Sequence, residues 1–216
     1  QILYSVLIFF VSVFGALGQI VTCDTTISTG DNLLLNSDFE DGYSGFGFDA
    51  NYRVFGGGTY SVPSDVIVGT AGNQLNAVFT GTGNGGSGNF YMIDGSCTVP
   101  NSFYQQTVVA ETNTWYYFRV AVQSLYINGS GTDLAFFTFK LGGLNFGTNF
   151  QAPATAGNWI EYVDSVYYTG PSGAQLFEIV NTNADNCNNG NDFAIDDVEL
   201  VPGCGFGDPS PQPDLG

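Results

Sequence analysis

The chain has 216 residues with 3 Lys and Arg, 20 Asp and Glu and no His, which gives a formal net charge of −17 at pH 7. So few basic side chains cannot neutralise a phosphate backbone, which excludes nucleic-acid binding, and the lack of His excludes His-based triads and His-ligated zinc. The chain is 44% hydrophobic and 15% aromatic with 30 Gly, which is typical of folded β-strands joined by many turns.

The first segment is interpreted as a targeting signal. No charged side chain precedes Asp24, residues 2–14 are almost wholly apolar, and residues 16–18 provide a small-x-small cleavage site. We therefore predict a signal peptide over 1–18 that lacks its basic n-region, followed by a lead-in over 19–30. The alternatives are a membrane anchor, a lipoprotein leader and a retained hydrophobic segment used for assembly. All four place the domain outside the cytoplasm, secreted or at the cell surface, with membrane contact only through an uncleaved leader or a lipid anchor.

The four cysteines agree with an exported protein. Cys23, Cys97, Cys187 and Cys204 form no C-x-x-C pair, so a zinc site or a redox motif is unsupported. An even number predicts two disulfides, for which three pairings exist. Cys23 precedes the first predicted strand and Cys204 follows the last. If those strands are neighbours, we expect Cys23–Cys204 and Cys97–Cys187.

The body of the chain alternates between strands and turns. About ten short strands are predicted, because apolar and aromatic segments recur between turn signals and no segment keeps a 3.6-residue period. They are 33–35, 58–62, 76–80, 89–93, 103–109, 115–123, 134–141, 159–168, 174–181 and 193–201. We expect an all-β domain over 31–203, folded as a two-sheet antiparallel β-sandwich of the jelly-roll type.

The tail and the last strand carry further signals. Residues 204–216 contain three Pro and are interpreted as the start of a linker in a longer multidomain or assembled surface protein. In the last strand, the apolar side chains change parity at Asp196-Asp197, so the strand must bulge there to keep them on one face. If the first and last strands pair, Glu40, which follows the first predicted strand, is expected to lie beside these two carboxylates. Adjacent carboxylates at a bulge favour a cation such as Ca²⁺; the other interpretation is solvated charges or acceptors of backbone N–H bonds.

Three separated segments carry a family resemblance. They are residues 32–42 (NLLLNSDFEDG), residues 87–118 with the run SGNFYMIDGS at their start, and Trp159 together with residues 190–200 (GNDFAIDDVEL). In this order they resemble the galactose-binding-like jelly rolls of carbohydrate-binding modules, and above all their relatives in large secreted surface proteins of Bacteroidetes-type bacteria. Ser37 departs from the Gly that is usual in the family.

The resemblance has implications for fold and for metal binding. It implies a galactose-binding-like jelly roll over about residues 32–201. It also implies a structural, non-catalytic calcium ion near the first and last strands. Its ligands would be Glu40 and Asp196, with Asp38 and Asp197 as further candidates. The motifs imply no particular sugar.

A candidate glycan surface lies in residues 46–60, where aromatic side chains alternate with Gly, Asp, Asn and Arg. The residues that we expect to contact sugar are Tyr52, Arg53, Phe55 and Tyr60, with contributions from Tyr104, Tyr126, Asn128 and Asn145. The other interpretation is that these aromatic residues fill the core. Trp115 and Trp159 stand at strand starts where the resembling family places core residues, so both are expected in the core.

Catalysis is not expected from these residues. Glu161 and Asp164 lie three apart on one strand, so their side chains point to opposite faces and cannot flank one glycosidic bond. We therefore expect a non-catalytic secreted or cell-surface module for adhesion or structural assembly, with a glycan or cell-surface polymer as its partner. The alternative is a true carbohydrate-binding module that holds a polysaccharide through exposed aromatic residues. A third interpretation is a jelly-roll glycoside hydrolase or lyase.

Overall fold

A computed structural model describes residues 31–127, 134–183 and 191–203. The leader, Cys23, Asn128, Cys187, Cys204 and the Pro-containing tail lie outside the described residues. Within the described ranges, no helix is both long enough and apolar enough to span a membrane.

Ten strands build two sheets that pack face to face. The strands are β1 Arg53–Val54, β2 Asp65–Gly69, β3 Phe90–Ile93, β4 Asn101–Ala110, β5 Thr114–Ser124, β6 Phe136–Leu141, β7 Leu144–Gln151, β8 Ile160–Tyr168, β9 Gly173–Asn181 and β10 Phe193–Pro202. The order is β1-β2-β3-β10-β5-β8 in the larger sheet and β4-β9-β6-β7 in the smaller one. All neighbours are antiparallel except β1 and β2. The expected jelly-roll β-sandwich is confirmed.

Seven of the predicted strands are confirmed, and three are wrong. Residues 33–35, 58–62 and 76–80 are bends and turns. Gly57 and Gly58 have φ of 96° and 138°, and the Phe79 N–H closes a turn on the Asn76 carbonyl at 2.9 Å. The sequence analysis also missed β1, β2 and β7, the last because an internal Gly and polar neighbours weaken its strand pattern.

The space between the sheets is filled largely by aromatic side chains. Along β5, Tyr116, Phe118, Val120 and Val122 are buried in the main cluster, so the alternate residues face outward. The Phe118 ring lies 4.1 Å from that of Phe139 on the opposite sheet. Burying a Phe side chain contributes roughly 1.5–3 kcal/mol, so this layer is a main source of stability.

A second hydrophobic cluster covers part of the outer face of the six-stranded sheet. Leu75 and Phe79, from the segment between β2 and β3, pack on outward-facing Phe90, Met92 and Ala194. The segment therefore acts as a cover for one half of this face.

The last strand bulges where the sequence predicts it. The pairing of β10 with β5 shifts register between Asp196 and Glu199, and Asp197 has a φ of 49°. Residues 32–37 lie beside the same strand, with hydrogen bonds of 2.9 Å from Leu33 N to Leu200 O and from Val198 N to Ser37 O. Residues 32–37 and the bulge of β10 therefore lie side by side, as the proposed acidic cluster requires.

Candidate functional site

Three of the four predicted metal ligands gather around the segment 84–89. Asp196 Oδ2 accepts a 2.9 Å hydrogen bond from the Asn84 backbone N–H, and Asp197 Oδ2 accepts one of 2.8 Å from the Asn84 side-chain amide. Glu40 Oε1 accepts a 2.8 Å bond from the Asn89 backbone N–H. Asp38 is exposed and its carboxylate caps a local turn at the Glu40 N–H.

Burial raises the pKa of Asp196 to about 7, and the charges of Asp197 and Glu40 raise it as well, while the N–H bonds from Asn84 and Asp197 act against them. Among the residues that the structure describes, no group of three or more His, Cys, Asp and Glu side chains is placed to hold a metal ion. Oxygen ligands from the backbone or from amides would therefore have to complete a calcium site here, and calcium binding stays a prediction.

The predicted glycan surface over residues 46–60 is not a single face. Tyr52 is only 4% exposed and lies in the main cluster, which corrects the expectation that its ring contacts sugar. The reason is that this segment runs along β4, with Asp49 N bonded to Ser102 O at 2.8 Å, and so turns Tyr52 inward. Tyr104, on β4 itself, is likewise buried.

The other three predicted contact residues have different surroundings. Arg53 is exposed, and its Nε donates to Asp65 Oδ1 at 2.5 Å. Phe55 is half-buried against the second cluster, while Tyr60 is 64% exposed. The remaining exposed ring, Tyr60, stands next to Ser61, which lines a cavity.

That cavity, of about 200 Å³, opens where β3 ends and β10 begins. Its lining consists of Ser61, Pro63, Asn76, Val78, Phe79, Asp94, Gly95, Tyr126, Asn191 and Asp192. Because β3 and β10 are antiparallel neighbours, Asp94 at the end of one and Asp192 at the start of the other reach the same edge. Polar groups therefore line one side, and the Phe79 and Tyr126 rings, 6.3 Å apart, line another.

The polar side of the cavity is held by a hydrogen-bond network. Ser61 Oγ donates to Asp94 Oδ2 at 2.5 Å, and Asn76 Nδ2 donates to Ser61 Oγ at 3.2 Å. The Gly95 N–H donates to Asp192 Oδ1 at 3.0 Å. Burial raises the pKa of Asp94 to about 6, and the charge of Asp65 raises it as well, while hydrogen bonds with Ser61 and Asp192 lower it.

The sequence analysis did not identify this cavity, apart from Tyr126. Two polar dipeptides in the segments that carry the family resemblance could have indicated it: Asp94-Gly95 directly after β3, and Asn191-Asp192 directly before β10. Only the pairing of those strands, which the sequence does not state, brings them together.

Both tryptophans are half-buried, which corrects the expectation of core positions. The Trp159 ring packs edge-on against Phe90 at 5.8 Å, and its Nε1 donates to Thr82 O at 2.8 Å, so it belongs to the border of the second cluster. Trp115 instead lies 5.4 Å from Tyr167 on the outer face of the larger sheet.

No protein-family model and no curated protein matches the chain. Among solved structures, the xylan-binding domain CBM22-1 of Xyn10C from Paenibacillus barcinonensis is 16% identical, over 82% of this chain and 97% of that one, with a TM-score of 0.50. A family 16 carbohydrate-binding module is 16% identical over 79% and 99%, with a TM-score of 0.47. TmCBM61, solved with β-1,4-galactotriose, is 15% identical over 80% and 99%, with a TM-score of 0.43.

Some of the similar structures are parts of enzymes. The chain spans 21% of the bacteriophage CBA120 tailspike protein 4 structure and 26% of the MgGH51 arabinofuranosidase structure. At these identities the likeness shows the fold alone. Together with the strand order, the likeness to the CBM22-1 domain shows a two-sheet jelly-roll β-sandwich, a fold that carbohydrate-binding modules also have.

Proposed function

We propose that the domain is a non-catalytic, extracellular carbohydrate-binding module and that the cavity between β3 and β10 takes one neutral sugar unit. The observation that carries the proposal is the lining: two carboxyl groups, a hydroxyl and two amides face the same space as the Tyr126 ring. A few convergent polar groups beside an aromatic wall are typical of small-molecule sites. At about 200 Å³, the cavity is below the roughly 300–1,000 Å³ usual for drug-sized ligands, which suits a single sugar unit.

Charge indicates which sugars fit. Asp94 and Asp192 can accept hydrogen bonds from sugar hydroxyl groups, and a bond to a charged group contributes about 1.5–3 kcal/mol. The same carboxylates, in a chain of net charge −17, would repel uronates and other acidic sugars. The proposed ligand class is therefore neutral hexoses and pentoses within a glycan.

The arrangement of carboxylates supports a binding role over a catalytic one. Asp94 and Asp192 are hydrogen-bonded to each other, closer than the roughly 5 Å or more at which glycosidase carboxylates flank a bond. Asp164 accepts bonds from Thr148 N and Tyr162 OH, both at 2.8 Å, and Glu161 faces solvent on the other side of β8. Neither pair is arranged for hydrolysis.

An extracellular location fits the cysteine chemistry. Cys97 is disulfide-bonded, and disulfides persist in oxidising compartments. The pairings Cys97–Cys187 and Cys23–Cys204 remain part of the proposal. A glycan-binding module that is exported and joined to other modules would serve adhesion or structural assembly at the cell surface.

The proposal includes a structural calcium ion at the bulge of β10. Glu40 and Asp196 would supply carboxylate oxygens, and backbone or amide oxygens from the segment 84–89 would complete the site. The fit rests on the burial of Asp196, which is 4% exposed, beside two further carboxylates. Bound Ca²⁺ would offset their repulsion and fasten this segment to β10.

The test is a glycan array followed by titration calorimetry. The array compares neutral with acidic glycans. Calorimetry compares Asp94→Asn with Glu111→Gln, a control substitution that removes the same charge at an exposed position away from the cavity. Loss of one charged hydrogen bond predicts about 10-fold weaker binding or more for Asp94→Asn and no change for Glu111→Gln. Absence of binding to every glycan, or equal affinity of both variants, would overturn the assignment.

A further inference from the structure

The outer face of the six-stranded sheet carries a row of partly exposed aromatic side chains at the end opposite the cavity. Trp115 and Tyr117 lie two apart on β5, and Tyr167 lies on β8 directly opposite Trp115. Alternate residues on a strand and directly paired residues on neighbouring strands share one face. We call these three residues the aromatic strip.

The strip is part of the surface and not of the core. Tyr167 is 45% exposed, and Trp115 and Tyr117 are half-buried. None of the three belongs to either of the hydrophobic clusters formed by the described residues. The segment that covers the other half of this sheet face packs on Phe90, Met92 and Ala194, at the far end of the strands.

A compensated charge group continues the strip along β5. Arg119 Nη2 donates to Glu199 Oε1 at 2.6 Å, and Arg119 Nη1 lies 3.9 Å from Glu161 Oε2. One cation therefore faces two carboxylates, so this face offers hydrogen-bonding groups without a net positive charge. An acidic polymer would be repelled here.

We propose that the aromatic strip is a second contact surface, which binds an extended neutral polysaccharide. This inference rests on the proposed function as a carbohydrate-binding module and adds a site to it. Aromatic faces pack against the apolar C–H faces of sugar rings, and residues two apart on a strand are about 6.5–7 Å apart. Trp115 and Tyr117 would thus meet neighbouring sugar units, with Arg119 and Glu161 beside them to bond hydroxyl groups.

A second copy of the chain fits this face less well. Fully buried aromatic side chains cover about 150–250 Å² each, and these three are already partly covered, so the strip falls short of the roughly 800 Å² per partner of a stable protein interface. A two-fold contact would also bring Glu161 and Glu199 against their own copies in a chain of net charge −17.

The strip and the cavity can be tested separately because they are far apart. Trp115 lies near the start of β5, and Tyr126 follows shortly after β5 ends at Ser124. At the rise of a strand, Trp115 and Ser124 are about 30 Å apart. A variant at one site therefore leaves the other in place.

The experiment measures retardation of the chain in native gels that contain soluble xylan, β-1,4-galactan, mannan or β-glucan. It compares the wild type with Tyr167→Ala, Trp115→Ala and Asp94→Asn, with Val109→Ala as the control because Val109 is 72% exposed on the other sheet. We expect about 2–10-fold weaker binding for each strip variant and wild-type retardation for Val109→Ala. Melting temperatures equal to that of the wild type would show that Tyr167→Ala is folded.

The outcomes separate the two proposals. If Asp94→Asn loses retardation while both strip variants are retarded like the wild type, the strip is overturned and the cavity stands. If the strip variants alone lose retardation, the strip is supported and the cavity assignment fails. A wild-type dimer in sedimentation that Tyr167→Ala dissociates would overturn the strip in favour of a protein interface.

Discussion

The backbone N–H of Asn84 donates a 2.9 Å hydrogen bond to Oδ2 of the buried Asp196. This bond ties the segment before β3 to the bulge of β10, and the Asn84 side chain adds a second tie to Asp197. The segment and the bulge are therefore expected to be stable or unstable together.

Calcium removal tests this link. If Ca²⁺ binds at Glu40 and Asp196, EDTA should lower the melting temperature, since an ion at 100 times its Kd adds about 2.7 kcal/mol. For a domain of this size that corresponds to about 5–10 °C. Differential scanning calorimetry with EDTA, and with EDTA plus excess Ca²⁺, measures it. A melting temperature that is the same in both buffers would remove calcium from the proposal.

The pH dependence of stability should report Asp94. Its pKa is raised from 3.8 to about 6 by burial and by the nearby charge of Asp65, so the folded state binds its proton more tightly than the unfolded state. The resulting stabilisation is present below about pH 4 and is lost as the pH rises through about 6, an effect of roughly 3 kcal/mol.

Urea unfolding at pH 4, 5, 6 and 7 measures this slope in the wild type and in Asp94→Asn. The variant should show a smaller fall in stability over this range, because the titrating group is gone, while Glu111→Gln should keep it. A variant that follows the wild type at every pH would show that Asp94 does not titrate in this range.

Tyr52→Phe tests the burial of the ring that the sequence analysis placed at the surface. The Tyr52 hydroxyl is buried without a hydrogen-bond partner among the described residues, and such a group costs about 1–3 kcal/mol. Its removal should leave stability unchanged or raise it by about 1 kcal/mol, as measured by denaturant unfolding. Glycan affinity should not change. A loss of affinity would place Tyr52 back in the binding surface.

Gly95→Ala tests the shape of the cavity. A Cβ on Gly95 would stand 1.2 Å from Asn191 Oδ1 and 2.7 Å from Asn191 O, so the Asn191 side chain must move. Overpacking of this kind costs about 1–3 kcal/mol, and sugar binding should weaken with it. Gly56→Ala is the control, because nothing lies within 4 Å of a Cβ there. Equal stability and equal affinity of the two variants would contradict the close packing at Gly95.

The parts of the fold that the sequence could predict are those with a local signal. The change of apolar parity at Asp196-Asp197 required the bulge. The alternation along β5 predicted that strand, and the apolar and aromatic segments between turn signals predicted β8 and β9. Local signals failed at Phe79, whose segment has strand-like composition but folds over the outer sheet face, and at β7, whose Gly147 and polar side chains hide its pattern.

Predicting the sites requires knowledge of which strands are neighbours, whereas predicting the strands does not. Asp94 and Asp192 are separated by more than half of the domain in sequence and meet only because β3 and β10 are neighbours. Trp115 was expected in the core because the resembling family places a core residue at this strand start. Tyr116 and Phe118 point inward, so the residues that alternate with them along β5, including Trp115, point outward. The alternation in the sequence was sufficient to predict this.

The pairing of residues 32–37 with β10 has a mechanical consequence. Leu33 bonds to Leu200 and Ser37 to Val198, so the two segments run antiparallel, and residues 31 and 203 emerge at the same end of the sandwich. A tensile load applied between those two positions would peel these hydrogen bonds one after another instead of shearing them together. Forced unfolding would then start at this pair and reach the ties at Asn84 next, so that the bulge of β10 would set the resistance of the module to pulling.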